Sequence, residues 1–214
     1  MNIVPDIIKP IALLSGSHDD TAQTGQGCFM NVIAYLNGEP QITDQSPCVC
    51  VTLRPIVIFL NDFMNASERQ QLMQFVCRAM GSATDDKAEI LRRLVHVVAF
   101  SDACTEFATK PATKYAKYAA EYAAEYAVEY AKYAKYAEYA AKYAEYAKYA
   151  AESAAKSAEY AVEYGKSAEY AAIRQSIIAA GLAFLDAALP PLPDAEPVHV
   201  DRARELVSKF EAMA

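Results

Sequence analysis

Apolar side chains recur three and four residues apart along most of this chain, the period of a helix with one buried face. Phe29, Val32, Ile33 and Leu36 share such a face, and Asn37-Gly38 provides the glycine that ends a helix. Ser46-Pro47 reads as an N-cap and first-turn pair for a helix running toward Asn61. Pro55 is expected to kink or split that helix, and the same proline argues against a central strand over Val51, Val57 and Ile58. Asn65-Ala66-Ser67-Glu68 opens a helix bearing Leu72, Phe75, Val76 and Met80 and closed by Gly81. Thr84-Asp85-Asp86 caps another, with Ile90, Leu91, Leu94, Val97 and Val98 on one broad face and Phe100 just off its edge. Ile173 to Leu189 is apolar and helical in pattern until Pro190-Pro191, and His199 to Ala212 closes the chain with a short amphipathic helix. Residues 1–26, broken by Pro5, Pro10 and a polar loop at 15–20, form a mixed entry segment. The fold class expected is all-α.

A different pattern occupies the region between these helices. From Tyr115 to Ala171 the chain holds 21 Ala, 14 of its 15 Tyr and 16 Glu or Lys. Each of the 17 Tyr or Ser positions in the series is preceded by Glu or Lys, and all but Tyr164 are followed by Ala. Ala, Glu and Lys are strong helix formers and no proline intervenes, so the segment is expected to be helical. Between Tyr115 and Tyr170 the mean spacing is about 3.4 residues, near the 3.5 of a coiled coil. Locally it changes: 3.75 from Tyr115 to Tyr130, then 3.17 from Tyr130 to Tyr149. At about 100° per residue, the second stretch turns the stripe backward by about 260°. No continuous partner helix follows such a turn, and a regular coiled coil is disfavoured. One unbroken helix here would reach about 86 Å, so two or more packed segments are expected. The domain organisation read from these patterns is a helical domain from residues 1–110 closed by 172–214, with 113–171 as a helical repeat inserted into it.

Composition narrows the function classes. With 20 basic and 27 acidic residues the net charge is −7, and Lys and Arg form no cluster, which argues against a phosphate-tracking nucleic-acid binder. No run of 18 uninterrupted apolar residues is present, so no membrane span is expected. Pro5 and Asp6 stand where a signal peptide needs a basic start and an apolar run. Five cysteines make no even disulfide framework, and a reducing cytoplasm is the expected location.

The most concentrated reactive residues are His18, Cys28, Cys48 and Cys50. Three thiols and an imidazole have the chemistry of a tetrahedral zinc site, but Cys48-Val49-Cys50 is a C-x-C pair with no downstream counterpart, and buried cysteines acting as small hydrophobes are the favoured reading. A thiol nucleophile with His18 or His96 as base needs hydrogen-bond reach and an orienting third group, and no motif marks one. Cys77 and Cys104 fall within helical patterns, as core. No phosphate-binding glycine loop or paired-histidine metal motif is present, and no catalytic residue, bound metal or cofactor is assigned.

Gly16-Ser17-His18, Cys28-Phe29-Met30, Ala34-Tyr35, Gly38-Glu39-Pro40, Cys48-Val49-Cys50 and Asn61-Asp62 together resemble the N-terminal pattern of a group of uncharacterised bacterial and phage proteins, in which an Ala-rich helical repeat follows. Leu185-Asp186-Ala187-Ala188-Leu189-Pro190-Pro191 is similar to their tails. The similarity covers about a third of the chain. It departs at Asn31, where the group carries Glu, and at Val51, where it carries Pro. The resemblance implies a bacterial or phage origin and no particular activity.

The function expected is therefore a non-enzymatic helical interaction or assembly protein. Its contact residues would be Tyr115, Tyr118, Tyr122, Tyr126, Tyr130, Tyr133, Tyr136, Tyr139, Tyr143, Tyr146 and Tyr149, binding a second copy or another protein. A tyrosine ring lies over alanines and lysine stems while its hydroxyl stays in water, which suits a half-buried contact face. A helical spacer whose tyrosines touch only their own chain is the plain alternative. A small metal- or thiol-dependent enzyme centred on His18, Cys28, Cys48 and Cys50, and a helical protein sequestering a small ligand, are the other two.

Overall fold

The computed structural model describes residues 4–16, 18, 21–109, 145, 148–149, 151–152, 155–156, 167–191 and 197–213. Among these the fold is all-α, 70% helical and without strands. A lone parallel bridge joins Leu13 to Gly27. The helices are α1 (Val4–Ile8), α2 (Thr21–Thr24), α3 (Phe29–Asn37), α4 (Arg54–Phe63), α5 (Ala66–Arg69), a 3₁₀ turn at Gln70–Leu72, α6 (Met73–Ala79), α7 (Lys87–Thr109), α8 (Ser167–Ala188) and α9 (Pro197–Met213). Most of the tyrosine repeat, including ten of the eleven candidate contact tyrosines (all but Tyr149), lies outside the described residues, as does the path of the repeat.

Contacts divide the chain into two units. The first comprises Met1–Cys50, Val57–Ala83 and Leu189–Ala214. Its centre is α3, whose residues Phe29 to Leu36 are all buried. A helix hemmed in on every side has no polar face to spare, which is why its sequence is apolar nearly all round. Helix α9 packs against α1, α2 and α3, and α6 packs against α1 and α3. Gly25 is needed where α2 meets α9: its φ is +71°, and a Cβ there would run into the Phe210 amide and the Leu206 carbonyl. Gly38 ends α3 in the left-handed conformation at φ +76°, and its amide donates to the Tyr35 carbonyl at 3.0 Å. Asn65 and Glu68 cap α5 reciprocally, as their spacing predicts.

The second unit comprises Val51–Ile56 and Thr84–Ala188. Helices α7 and α8, read in sequence as flanking the repeat, both fall within it. They pack against each other, α7 burying Ile90, Leu94, Val97, Phe100 and Cys104, α8 burying Ile173, Ile177, Ile178, Phe184 and Leu185. Asp86 starts α7 by accepting from the Ala88 amide at 2.9 Å. Arg92 of α7 ends α8 by donating to the carbonyls of Ala187 at 2.8 Å and Ala188 at 2.9 Å, a cation on the negative end of the helix.

Two local expectations need correction. Pro55 neither kinks nor splits a helix: α4 begins at Arg54, after turns at 47–48 and 51–53, and in its first turn the missing amide has no partner to lose. Phe100 is not off the core edge but 2% exposed, with its ring centroid 5.8 Å from that of Phe184. Residues 170–188 of α8 are, by length and composition, long and apolar enough to cross a membrane. Arg174 and Asp186 interrupt the run, so a search for unbroken apolar stretches passes over it.

Candidate functional site

The first unit gathers its polar chemistry at the N-terminus of α3. The first amides of a helix lack partners within it, and here distant side chains supply them. Asn31 Oδ1 accepts from the Cys28 amide at 3.3 Å and from the His18 amide at 2.8 Å. Asn61 Oδ1 accepts from the Phe29 amide at 3.1 Å, while Asn61 Nδ2 donates to the Leu14 carbonyl at 2.9 Å and to Asp62 Oδ1 at 3.1 Å. Asp62 Oδ1 also accepts from the Gly16 amide at 2.6 Å. Asn31 is fully buried and its Nδ2 has no hydrogen-bond partner among the described residues. Behind this network Arg69, 7% exposed, donates to the carbonyls of Asn61, Leu13 and Met64.

A cavity of about 20 Å³ opens beside this network, lined by Gly16, Cys28, Phe29, Met30, Asp44, Ile58, Asn61 and Asp62. That volume holds a water molecule, far short of the few hundred Å³ of a substrate pocket. Burial pushes the Cys28 thiol up to about 11, against the opposing amides of Asn31 and Met30 and with help from the Asp62 and Asp44 charges. Cys28 is therefore a protonated thiol at neutral pH and a weak nucleophile. His18 Nε2 lies 2.8 Å from the Ser15 carbonyl and donates to it.

The four residues with zinc chemistry are not brought into one site. Among the described residues no group of three or more His, Cys, Asp or Glu side chains is placed to hold a metal ion. Cys28 and Cys50 are buried at 4% and 2% exposure, and Cys50 donates its amide to Ser82 Oγ at 3.0 Å. Cys48 is half-buried and belongs to a separate cluster. There Ser46 Oγ lies 3.1 Å from Cys48 Sγ and donates a short hydrogen bond to Glu39, whose Oε1 also accepts from Asn37 Nδ2 at 3.1 Å. Glu39, Ser46, Asn61 and Asp62 were not singled out by chemistry in the sequence. Glu39, Asn61 and Asp62 do stand within the short motifs that carry the family resemblance, while Ser46, read as a helix cap, sits in a loop.

Within the repeat, the described positions are helical. Ala151 is 0% and Ala155 8% exposed, whereas Tyr149 is 55% exposed. Lys148 Nζ lies 3.9 Å from Glu145 and 3.8 Å from Glu152, one turn either way along the helix. At these positions alanine faces inward, the charges pair along their own helix, and the tyrosine ring faces out.

In comparison with known protein families, characterised proteins and solved structures, the chain has no significant match.

Proposed function

We propose that the protein is a non-enzymatic helical assembly protein whose tyrosine-bearing repeat face binds a second copy of the chain. The observation that carries this reading is the contrast between Tyr149, 55% exposed, and its neighbours Ala151 and Ala155, 0% and 8% exposed. Tyrosines packed only within their own chain would be the buried member of that set. The strict charge–Tyr–Ala order repeats the same residue set from Tyr115 to Tyr146, and these tyrosines are the proposed contact residues. Pairing of Lys148 with Glu145 and Glu152 leaves the aromatic stripe without a charge preference. Nine Glu and eight Lys along the series also leave two copies with little net repulsion. Replacing residues 115–171 by a short Gly/Ser linker tests the reading in sedimentation equilibrium. The intact chain is expected to associate with concentration and the shortened chain to stay a folded monomer; equal association of both contradicts the proposal.

A further inference from the structure

Helix α9 is tied to the C-terminal end of α3 by contacts unlike the buried network at the other end of that helix. Of the described α9 side chains only Ala203 and Leu206 are buried. The rest of the attachment is polar and centres on Tyr35, itself 5% exposed. The Tyr35 hydroxyl accepts from Lys209 Nζ at 3.0 Å and donates to Glu205, which also accepts from Lys209 at 2.7 Å. Lys209 Nζ lies 5.0 Å and the Arg202 guanidinium 5.9 Å from the centroid of the Tyr35 ring. Arg202 Nη1 donates to the Tyr35 carbonyl at 3.0 Å, in the last turn of α3. The Lys209 and Glu205 side chains are 30% and 56% exposed, and ion pairs so open to water hold weakly.

The short helices beneath α9 depend on it. Helices α1 and α2 run over five and four residues, far below the length at which a helix holds by itself. Helix α1 packs on α9 and α6, and α2 on α9 and α3. Gly25, just after α2, sits against the α9 backbone at Leu206 and Phe210. At the base of α9 the chain is pinned: Arg78 donates to the carbonyls of Leu189 at 3.0 Å and Pro190 at 2.9 Å. Pro190, Pro191, Pro193 and Pro197 carry no amide with which a helix could run across from α8. We propose that α9 is a strap, latched at Tyr35, that opens as one unit and loosens α1 and α2 with it while α3 and α6 stay packed. Opening uncovers Tyr35 and the C-terminal end of α3, and it leaves the Tyr35 hydroxyl, Arg202, Glu205 and Lys209 to water. It costs less than global unfolding because it gives up few buried side chains and ties that are already half-exposed. This inference is independent of the repeat.

The test is amide hydrogen exchange on the folded full-length chain, followed segment by segment. Amides of α9 are expected to exchange through one shared opening with those of α1 and α2, at least about tenfold faster than the slowest amides of α3. Leu206→Ala is expected to speed exchange in α9, α1 and α2 by about thirtyfold, the low end for truncating a buried leucine, and to leave α3 and α6 unchanged. Tyr35→Phe keeps the ring and removes only the hydroxyl. It is expected to speed the same amides by about threefold, the loss of one modest hydrogen-bonded contact. Amides of α9 as slow as the slowest of α3 would overturn the proposal, as would an α9 that opens while α1 and α2 stay protected. So would a Leu206→Ala chain that fails to fold, or one in which α3 and α6 speed up as much as α9. A Tyr35→Phe chain that exchanges like wild type would overturn the latch.

Discussion

The first unit and the few described positions of the repeat are held by opposite strategies. Around α3 each tie is singular: Asn61 reaches the Phe29 amide and the Leu14 carbonyl, and Arg69 spans the carbonyls of Asn61, Leu13 and Met64. At the described repeat positions the ties are local and interchangeable, Lys148 pairing with Glu145 and Glu152 on its own helix. A singular network specifies one arrangement and suffers when one member is lost. A repetitive one tolerates loss at any position.

Substitutions graded by size sharpen this contrast. Arg69→Met keeps the stem but strands three carbonyls in the interior, and it is expected to cost about 3 kcal/mol in denaturant unfolding. A cost under about 1 kcal/mol would mean that the first unit does not depend on this tie. Glu89 in α7 gives an intermediate case. Hydrogen bonds from Arg92, then the charge and hydrogen bond of Arg93, hold its carboxyl down to about 2 against the opposing effect of burial. Because the folded value is depressed, the stabilisation is present above pH 4.5 and fades as pH falls toward 2. Glu89→Gln is expected to cost about 2 kcal/mol at pH 7, after allowing for partial solvent screening, and almost nothing at pH 2. A cost that does not change with pH would assign it to packing. Lys148→Ala is expected to change stability by only about 0.3 kcal/mol, since alanine is the better helix former and the ion pairs are exposed.

Legibility in the sequence follows the same division. Chemistry that is local in sequence was readable: Gly38 and Gly81 as helix stops, Asn65 with Glu68 as a capping box, Asp86 as the start of α7. Ties that span the chain were not. Nothing near Arg69 in sequence marks it as the partner of Leu13, 56 residues away, and Arg78 finds the Leu189 and Pro190 carbonyls from over 110 residues away. Pro55 misled because a proline is disruptive inside a helix and harmless in its first turn, and its effect depends on a boundary that periodicity places only within a few residues. His18, Cys28, Cys48 and Cys50, the alternative ligand set, show that proximity in sequence says little about where side chains converge. Cys48 instead meets Ser46 and Glu39.

The repeat carries the central claim, and substituting its tyrosines tests that claim most directly. Replacing Tyr115, Tyr118, Tyr122, Tyr126, Tyr130, Tyr133, Tyr136, Tyr139, Tyr143, Tyr146 and Tyr149 with Ser retains the alanines and charges, and Ser already stands at positions 153, 157 and 167. Sedimentation equilibrium together with far-UV circular dichroism on this variant and the parent chain is the measurement. The account predicts a self-associating parent and a monomeric variant of nearly unchanged helicity. Equal association of the two, with helicity preserved, would contradict it.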